Sequence, residues 1–153
     1  MPIYLVQHAL SLSKEVDPEK GISEEGRADA ERIAEVAKGY QVQISQIQHS
    51  GKKRARQTAE IFAAALNAGA IEESPLPINP LDDVQDLARA LNASSQLMIV
   101  GHLPHLERLA SWLIVKKIDH PVFKFQNGGI VCLDKIAEEE FWHIKWTLMP
   151  NIG

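Results

Sequence analysis

Two short apolar runs, residues 3–6 and 96–100, constrain this chain more than any other feature, because a histidine stands two residues after the end of each. Ile3, Tyr4, Leu5 and Val6 lead to Gln7-His8-Ala9. Gln96, Leu97, Met98, Ile99 and Val100 lead to Gly101-His102-Leu103-Pro104-His105. Runs of four to eight branched and aromatic residues without polar alternation suit strands buried on both faces, and such strands belong to sheets covered by helices. In open α/β sheets, ligands bind outside the carboxyl ends of the strands. Both histidines stand at such ends. Taken alone, His8 reads first as a half-buried residue closing its strand, and the rest of the chain is needed to make it a nucleophile.

The segments between the two runs alternate in character. Residues 11–21 are polar, with Pro18 and Gly21 as breakers, and read as a loop along one rim of a site. Ser23-Glu24-Glu25-Gly26 opens a helix, with Ser23 as cap and acids in its first turn. Its apolar face runs through Ala28, Ile33, Ala34 and Val36 to about Lys38, and Gly39 is the expected stop. Residues 42–47 alternate as a second strand and lead to Gln48-His49-Ser50-Gly51. A long helix follows from Lys52 to Leu66 with Lys52, Lys53, Arg54 and Arg56 at its start. Cations oppose the dipole at a helix N-terminus. An anion bound there would gain from both the free N–H groups and the cations, although a solvated basic face is equally consistent.

Residues 71–80, with Pro75, Pro77 and Pro80, are expected to be a connector over the sheet rather than a central strand. Asp82-Asp83-Val84 begins a helix that residues 92–95 close. Pro104 suits the first turn of the helix that runs to about Val115. Residues 130–133 and 141–148 pair as the last strands. The expected fold is a three-layer α/β/α sandwich, mostly parallel, with an antiparallel edge near the C-terminus, in one domain spanning residues 1–153.

Several function classes are disfavoured. The 153 residues carry a net charge of −4 with no basic stripe, so no nucleic-acid partner is expected. No segment approaches the roughly 18 apolar residues of a membrane span, and no basic n-region with a long apolar stretch marks a signal peptide. With a single cysteine, Cys132, lying in an apolar run, a cytoplasmic location is expected. His49, His105, His120 and His143 read as structural or surface residues. No cysteine or carboxylate pair completes a ligand set, so neither metal nor cofactor is expected.

His8, Arg54 and His102 fall at three junctions that a doubly covered sheet can bring to one crevice. Two histidines and an arginine suit phosphoryl transfer. A neutral imidazole attacks phosphorus in line, donors hold the equatorial oxygens, and arginine makes the forked contact.

With these pieces assembled, the chain resembles the histidine phosphatase superfamily, which includes the phosphoglycerate mutases, and within it the small SixA-type phosphohistidine phosphatases. The matching pieces are Tyr4-Leu-Val-Gln-His8, Ile22-Ser-Glu-Glu-Gly26, Ser50-Gly-Lys-Lys-Arg-Ala-Arg-Gln-Thr-Ala59 and Val100-Gly-His-Leu-Pro104, in family order over about residues 1–115. Trp146-Thr-Leu-Met-Pro150 resembles the SixA-type C-terminus. The resemblance implies His8 as phosphate-accepting nucleophile, Arg54 as the phosphate-binding arginine of the helix, and His102 as a donor to the phosphoryl oxygens. It places Ser50 at the turn beside them and leaves Arg56 mainly at the surface.

Three departures bear on function. The family's Arg-His-Gly is here Gln7-His8-Ala9, so Gln7 offers an amide donor in place of a charged fork. Losing a donor to transition-state charge typically costs on the order of 10²–10³ in rate. Leu10 stands where the SixA-type group often has an acid. The general acid of many members has only Asp82 and Asp83 as candidates, and both fit a capped helix start better. A phosphohistidine leaves as imidazole and needs a proton less than an alkoxide does. The expected substrate is therefore a phosphohistidine-bearing signalling protein, with a small phosphate ester as the alternative enzyme reading. A phosphate-binding or phosphoprotein-binding relative with little turnover is the third.

Overall fold

The computed structural model describes residues 2–92, 95–136 and 138–152. Six strands form one sheet: β1 (Ile3–Gln7), β2 (Gln46–His49), β3 (Ala70–Glu73), β4 (Leu97–Gly101), β5 (Ile130–Asp134) and β6 (His143–Leu148), in the order β3-β2-β4-β1-β5-β6. β3, β2, β4 and β1 are mutually parallel. β5 runs antiparallel to β1, and β6 antiparallel to β5, so the antiparallel edge lies where the sequence puts it.

Alternation along β1 divides the core. Ile3 and Leu5 face one apolar layer with Leu106, Leu109 and Leu113 of helix α4 (His105–Val115) and Leu87 of helix α3 (Gln85–Ala90). Tyr4 and Val6 face the other, with Ile33 and Ala34 of α1 (Glu24–Gly39) and Ala55, Ala59 and Phe62 of α2 (Lys53–Leu66). Each fully buried leucine or phenylalanine contributes about 1.5–3 kcal/mol of transfer free energy. Cys132 is buried in the second layer, and Trp142 in the first.

The helices begin differently. At α1, the Ser23 side chain accepts a hydrogen bond from the Gly26 N–H at 3.0 Å, and Glu24 and Glu25 fill the first turn. At α2, Lys52 supplies no side-chain cap and the first turn has no acid.

Four expectations need correction. Residues 70–73 form an edge strand rather than a connector. All four are exposed, so no apolar alternation marks them, and the prolines begin only after the strand ends. The second strand starts at Gln46; Val42 and Ile44 pack into the core without joining the ladder. α1 runs through Gly39, and the left-handed backbone falls on Gln41 (φ 60°). α3 starts at Gln85, and residues 93 and 94 of its expected close lie outside the described residues.

The loop between β1 and α1 is pinned at its base. Ser11 and Ile22 form an antiparallel bridge, and the Leu12 N–H donates to Gly21 O at 2.8 Å. Leu10 O accepts from the Ser23 N–H at 2.9 Å. A Cβ on Gly26 would lie 2.2 Å from Leu10 O, so only glycine allows α1 this approach.

Candidate active site

Pairing of β1 with β4 sets Gln7 opposite Gly101. The next residue on each chain is a histidine, so His8 and His102 meet side by side, ring centroids 5.1 Å apart and planes at 47°.

The backbone around His8 is held from three directions. Its N–H donates to Gly101 O at 3.0 Å, and the Asn127 side-chain amide donates to His8 O at 2.8 Å. The Ala9 N–H donates to the Thr58 hydroxyl at 2.9 Å, and that hydroxyl donates to Arg54 O at 2.7 Å, one turn earlier on α2. Thr58 thus couples the β1 junction to the helix bearing Arg54. Gly128, at φ 79°, donates its N–H to Gln7 O at 2.9 Å and fixes the turn that carries Asn127.

The His8 ring is oriented as well. Nδ1 lies 2.7 Å from Ala9 O, and a carbonyl only accepts, so Nδ1 carries the proton. Nε2 is left with its lone pair and has no partner among the described residues. Burial pushes the His8 pKa down to about 4 against the raising effect of the Ala9 bond, and nearby Arg54 and Lys20 lower it further. The ring is neutral at pH 7.

His102 is almost wholly buried, and its Nε2 lies 2.6 Å from the Ser50 hydroxyl. Burial, with the charges of His8, Arg54 and Lys52, takes its pKa down to about 3. An anion between the histidines would reverse part of this effect, because a nearby negative charge favours the protonated ring. Burial also lowers the pKa of Arg54.

The remaining expected residues fall as follows. Gln7 ends β1 with its Oε1 buried and unpartnered. Arg56 is exposed and lies 3.8 Å from Glu60. Asp82 accepts from the Asn79 N–H at 2.8 Å and Asp83 from the Gln85 N–H at 2.9 Å, so both carboxylates tie the turn before α3. No group of three histidine, cysteine or acidic side chains is arranged to hold a metal among the described residues. No described helix is long and apolar enough to cross a membrane.

Sequence reasoning missed two contributors. Thr58 and Asn127 act through backbone groups distant in sequence, and neither has a local signature. His105, expected as a structural or surface residue, is fully buried, and neither ring nitrogen has a hydrogen-bond partner.

The Histidine phosphatase superfamily (branch 1) family model matches residues 3–77. No curated protein sequence matches significantly. The fold is similar to the protein histidine phosphatase SixA complexed with tungstate: TM-score 0.82, 23% identity, 98% of this chain and 97% of that one covered. It is also similar to the provisionally assigned phosphohistidine phosphatase SixA from Agrobacterium tumefaciens (TM-score 0.77, 25% identity, 97% of both chains). The alpha-ribazole phosphatase from Shigella flexneri matches with TM-score 0.70 at 15% identity, over 100% of this chain and 98% of that one. The sequence match to the histidine phosphatase superfamily runs through β1, α1, β2, α2 and β3, and the fold match extends a SixA-like architecture over nearly the whole length.

Proposed function

We propose that this chain is a phosphatase that passes a phosphoryl group to Nε2 of His8 and then to water, acting on phosphohistidine in a protein. The observation that carries the reading is the His8 ring. Its Nδ1–H is committed to Ala9 O, so the free lone pair is on Nε2, in a neutral imidazole beside His102 and near Arg54.

In the first step, Nε2 attacks phosphorus, the substrate P–N bond breaks, and the substrate imidazole leaves with its bonding pair and takes a proton from solvent. In the second, water attacks the phosphorylated His8, the new P–N bond breaks, and inorganic phosphate departs as neutral His8 returns. Arg54 holds two equatorial oxygens in its fork. His102, held at Nε2 by the Ser50 hydroxyl, stabilises the charge of the phosphoryl oxygens once the anion raises its pKa. Gln7 offers its amide in place of a charged donor. Asp82 and Asp83 are occupied by turn bonds, and the reading asks neither for a proton, which suits a P–N bond better than an alkyl ester. No metal enters either step.

The test is single-turnover phosphate release from a phosphohistidine-bearing domain in the presence of a chelator. Release by wild type and none by folded His8→Ala is expected. Selective hydrolysis of an alkyl phosphate would move the assignment to a small-ester phosphatase. Phosphate binding with no His8-dependent hydrolysis of any substrate would move it to a binding protein.

A further inference from the structure

The first turns of α2 present their side chains in four directions, and three are already engaged. Ala55 and Ala59 are buried in the core. Arg54 and Thr58 serve the His8 junction. Lys53 and Gln57 secure the β1–α1 loop: Lys53 Nζ lies 2.9 Å from Asp17 and 3.6 Å from Glu19, and the Gln57 carbonyl accepts from the Ile22 N–H at 2.8 Å. The fourth direction holds Lys52 and Arg56, neighbours four residues apart.

These two line a surface depression of about 300 Å³ together with Glu19, Gly51, Lys53 and Arg54. Among the described residues, Lys52 and Arg54 have no ion-pair partner, and Arg56 has only the exposed Glu60 at 3.8 Å. The depression borders the candidate site: Arg54 lines it, and the Lys52 N–H donates at 3.4 Å to the Ser50 hydroxyl that bonds His102.

We infer that the Lys52–Arg56 face is a docking surface for carboxylate side chains flanking the phosphorylated residue of an acidic protein substrate. The inference rests on the phosphohistidine-protein reading and narrows it. A lone phosphoryl group occupies Arg54 and leaves Lys52 without a partner and Arg56 with only its 3.8 Å contact to Glu60; a substrate with neighbouring Asp or Glu engages both. The chain as a whole is negative, at −4. An acidic partner is therefore attracted only at short range and through this face, which fixes its orientation with the phosphoryl group toward His8.

The experiment uses two peptides carrying the same non-hydrolysable phosphohistidine analogue, one flanked by Asp and Glu, the other by Ser. Affinities are measured by fluorescence anisotropy with wild type and with K52E/R56E, melting temperatures serving as the folding check. Wild type is expected to bind the acidic peptide about tenfold more tightly at low ionic strength, from two exposed ion pairs. That advantage should fall below about twofold in K52E/R56E and in high salt. The double variant should instead prefer a Lys-flanked peptide, an outcome that general damage would not produce. Equal affinity of wild type for both peptides, no binding of either, or an advantage that survives in K52E/R56E overturns the proposal. So does displacement of both peptides by pyrophosphate with no dependence on the flanks, which would assign the face to a second phosphate. Hydrolysis plays no part in this readout. Tight acidic-peptide binding without His8-dependent turnover would therefore sink the catalytic reading and leave the docking surface standing.

Discussion

At the end of β1, the backbone groups around His8 and its Nδ1 are engaged, and of the His8 ring only Nε2 is free; the one buried orphan beside it is Gln7 Oε1. At the end of β4, three buried ring nitrogens are left over: Nδ1 of His102 and both nitrogens of His105. Each such orphan costs on the order of 1–3 kcal/mol unless water or a ligand satisfies it. The difference separates two tasks. A nucleophile must hold one lone pair in a fixed direction, which calls for a fully bonded surround. A group that responds to an arriving anion gains from an environment that changes when the anion binds.

The largest effect expected from breaking this contrast is at the satisfied junction. His8→Ala should lower turnover by about 10⁴-fold or more, as losses of a nucleophile do, with the melting temperature little changed. A residual rate within tenfold of wild type would remove His8 from the reaction. His102→Ala should cost about 10²–10³ in kcat, the scale of a lost transition-state donor. Thr58→Val leaves the Ala9 N–H buried without its acceptor, so a destabilisation of about 1–3 kcal/mol is expected by denaturant unfolding, together with reduced kcat. An unchanged midpoint would show that the coupling between β1 and α2 carries little energy.

At the unpartnered groups, Gln7 beside His8 and His105 beyond β4, the expected signs reverse. Gln7→Arg restores a charged fork and should raise turnover; an equal or lower rate would take Gln7 off the phosphate. His105→Leu removes two unpartnered nitrogens and should raise stability by about 1 kcal/mol, a shift of about 2–4 °C in melting temperature. A lower melting temperature would show that water bridges these rings, which sharpens the contrast rather than abolishing it.

The same contrast can be tested through pH, without changing the sequence. Unfolded histidines take up protons near pH 6.5, while folded His8 and His102 resist them until about 4 and 3. The unfolded state therefore binds more protons in between, and stability should fall as pH drops from 6.5 toward 4. The fall should be shallower in His8→Asn and His102→Asn, as chemical denaturation at each pH would measure.

Much of this arrangement is legible in the sequence, for identifiable reasons. β1 and β4 announce themselves because central parallel strands are apolar throughout, and α1 because Ser23 and its acids cap it. β3 is silent because an exposed edge strand needs no hydrophobic face. His8, Arg54, Ser50 and His102, the residues of the proposed mechanism, are visible because they stand at or beside element ends. Thr58 and Asn127 are invisible because their partners are backbone atoms 49 and 119 residues away in the chain. His105 looks like any polar residue opening a helix, and only the packing around α4 shows that its ring has been enclosed.

The loop that leaves His8 and returns at α1 is closed at its neck by the Ser11–Ile22 bridge and the Leu12–Gly21 bond, with Gly26 wedged against Leu10. Beyond that neck, the segment between positions 13 and 20 is tied to α2 through the ion pairs of Asp17 and Glu19 with Lys53. Lengthening a loop whose ends are already fastened adds little closure entropy, about 0.6 kcal/mol for each doubling. The segment is thus an exchangeable cassette: a relative could acquire a new rim, and a protein engineer a new recognition element, while the His8 junction keeps its geometry.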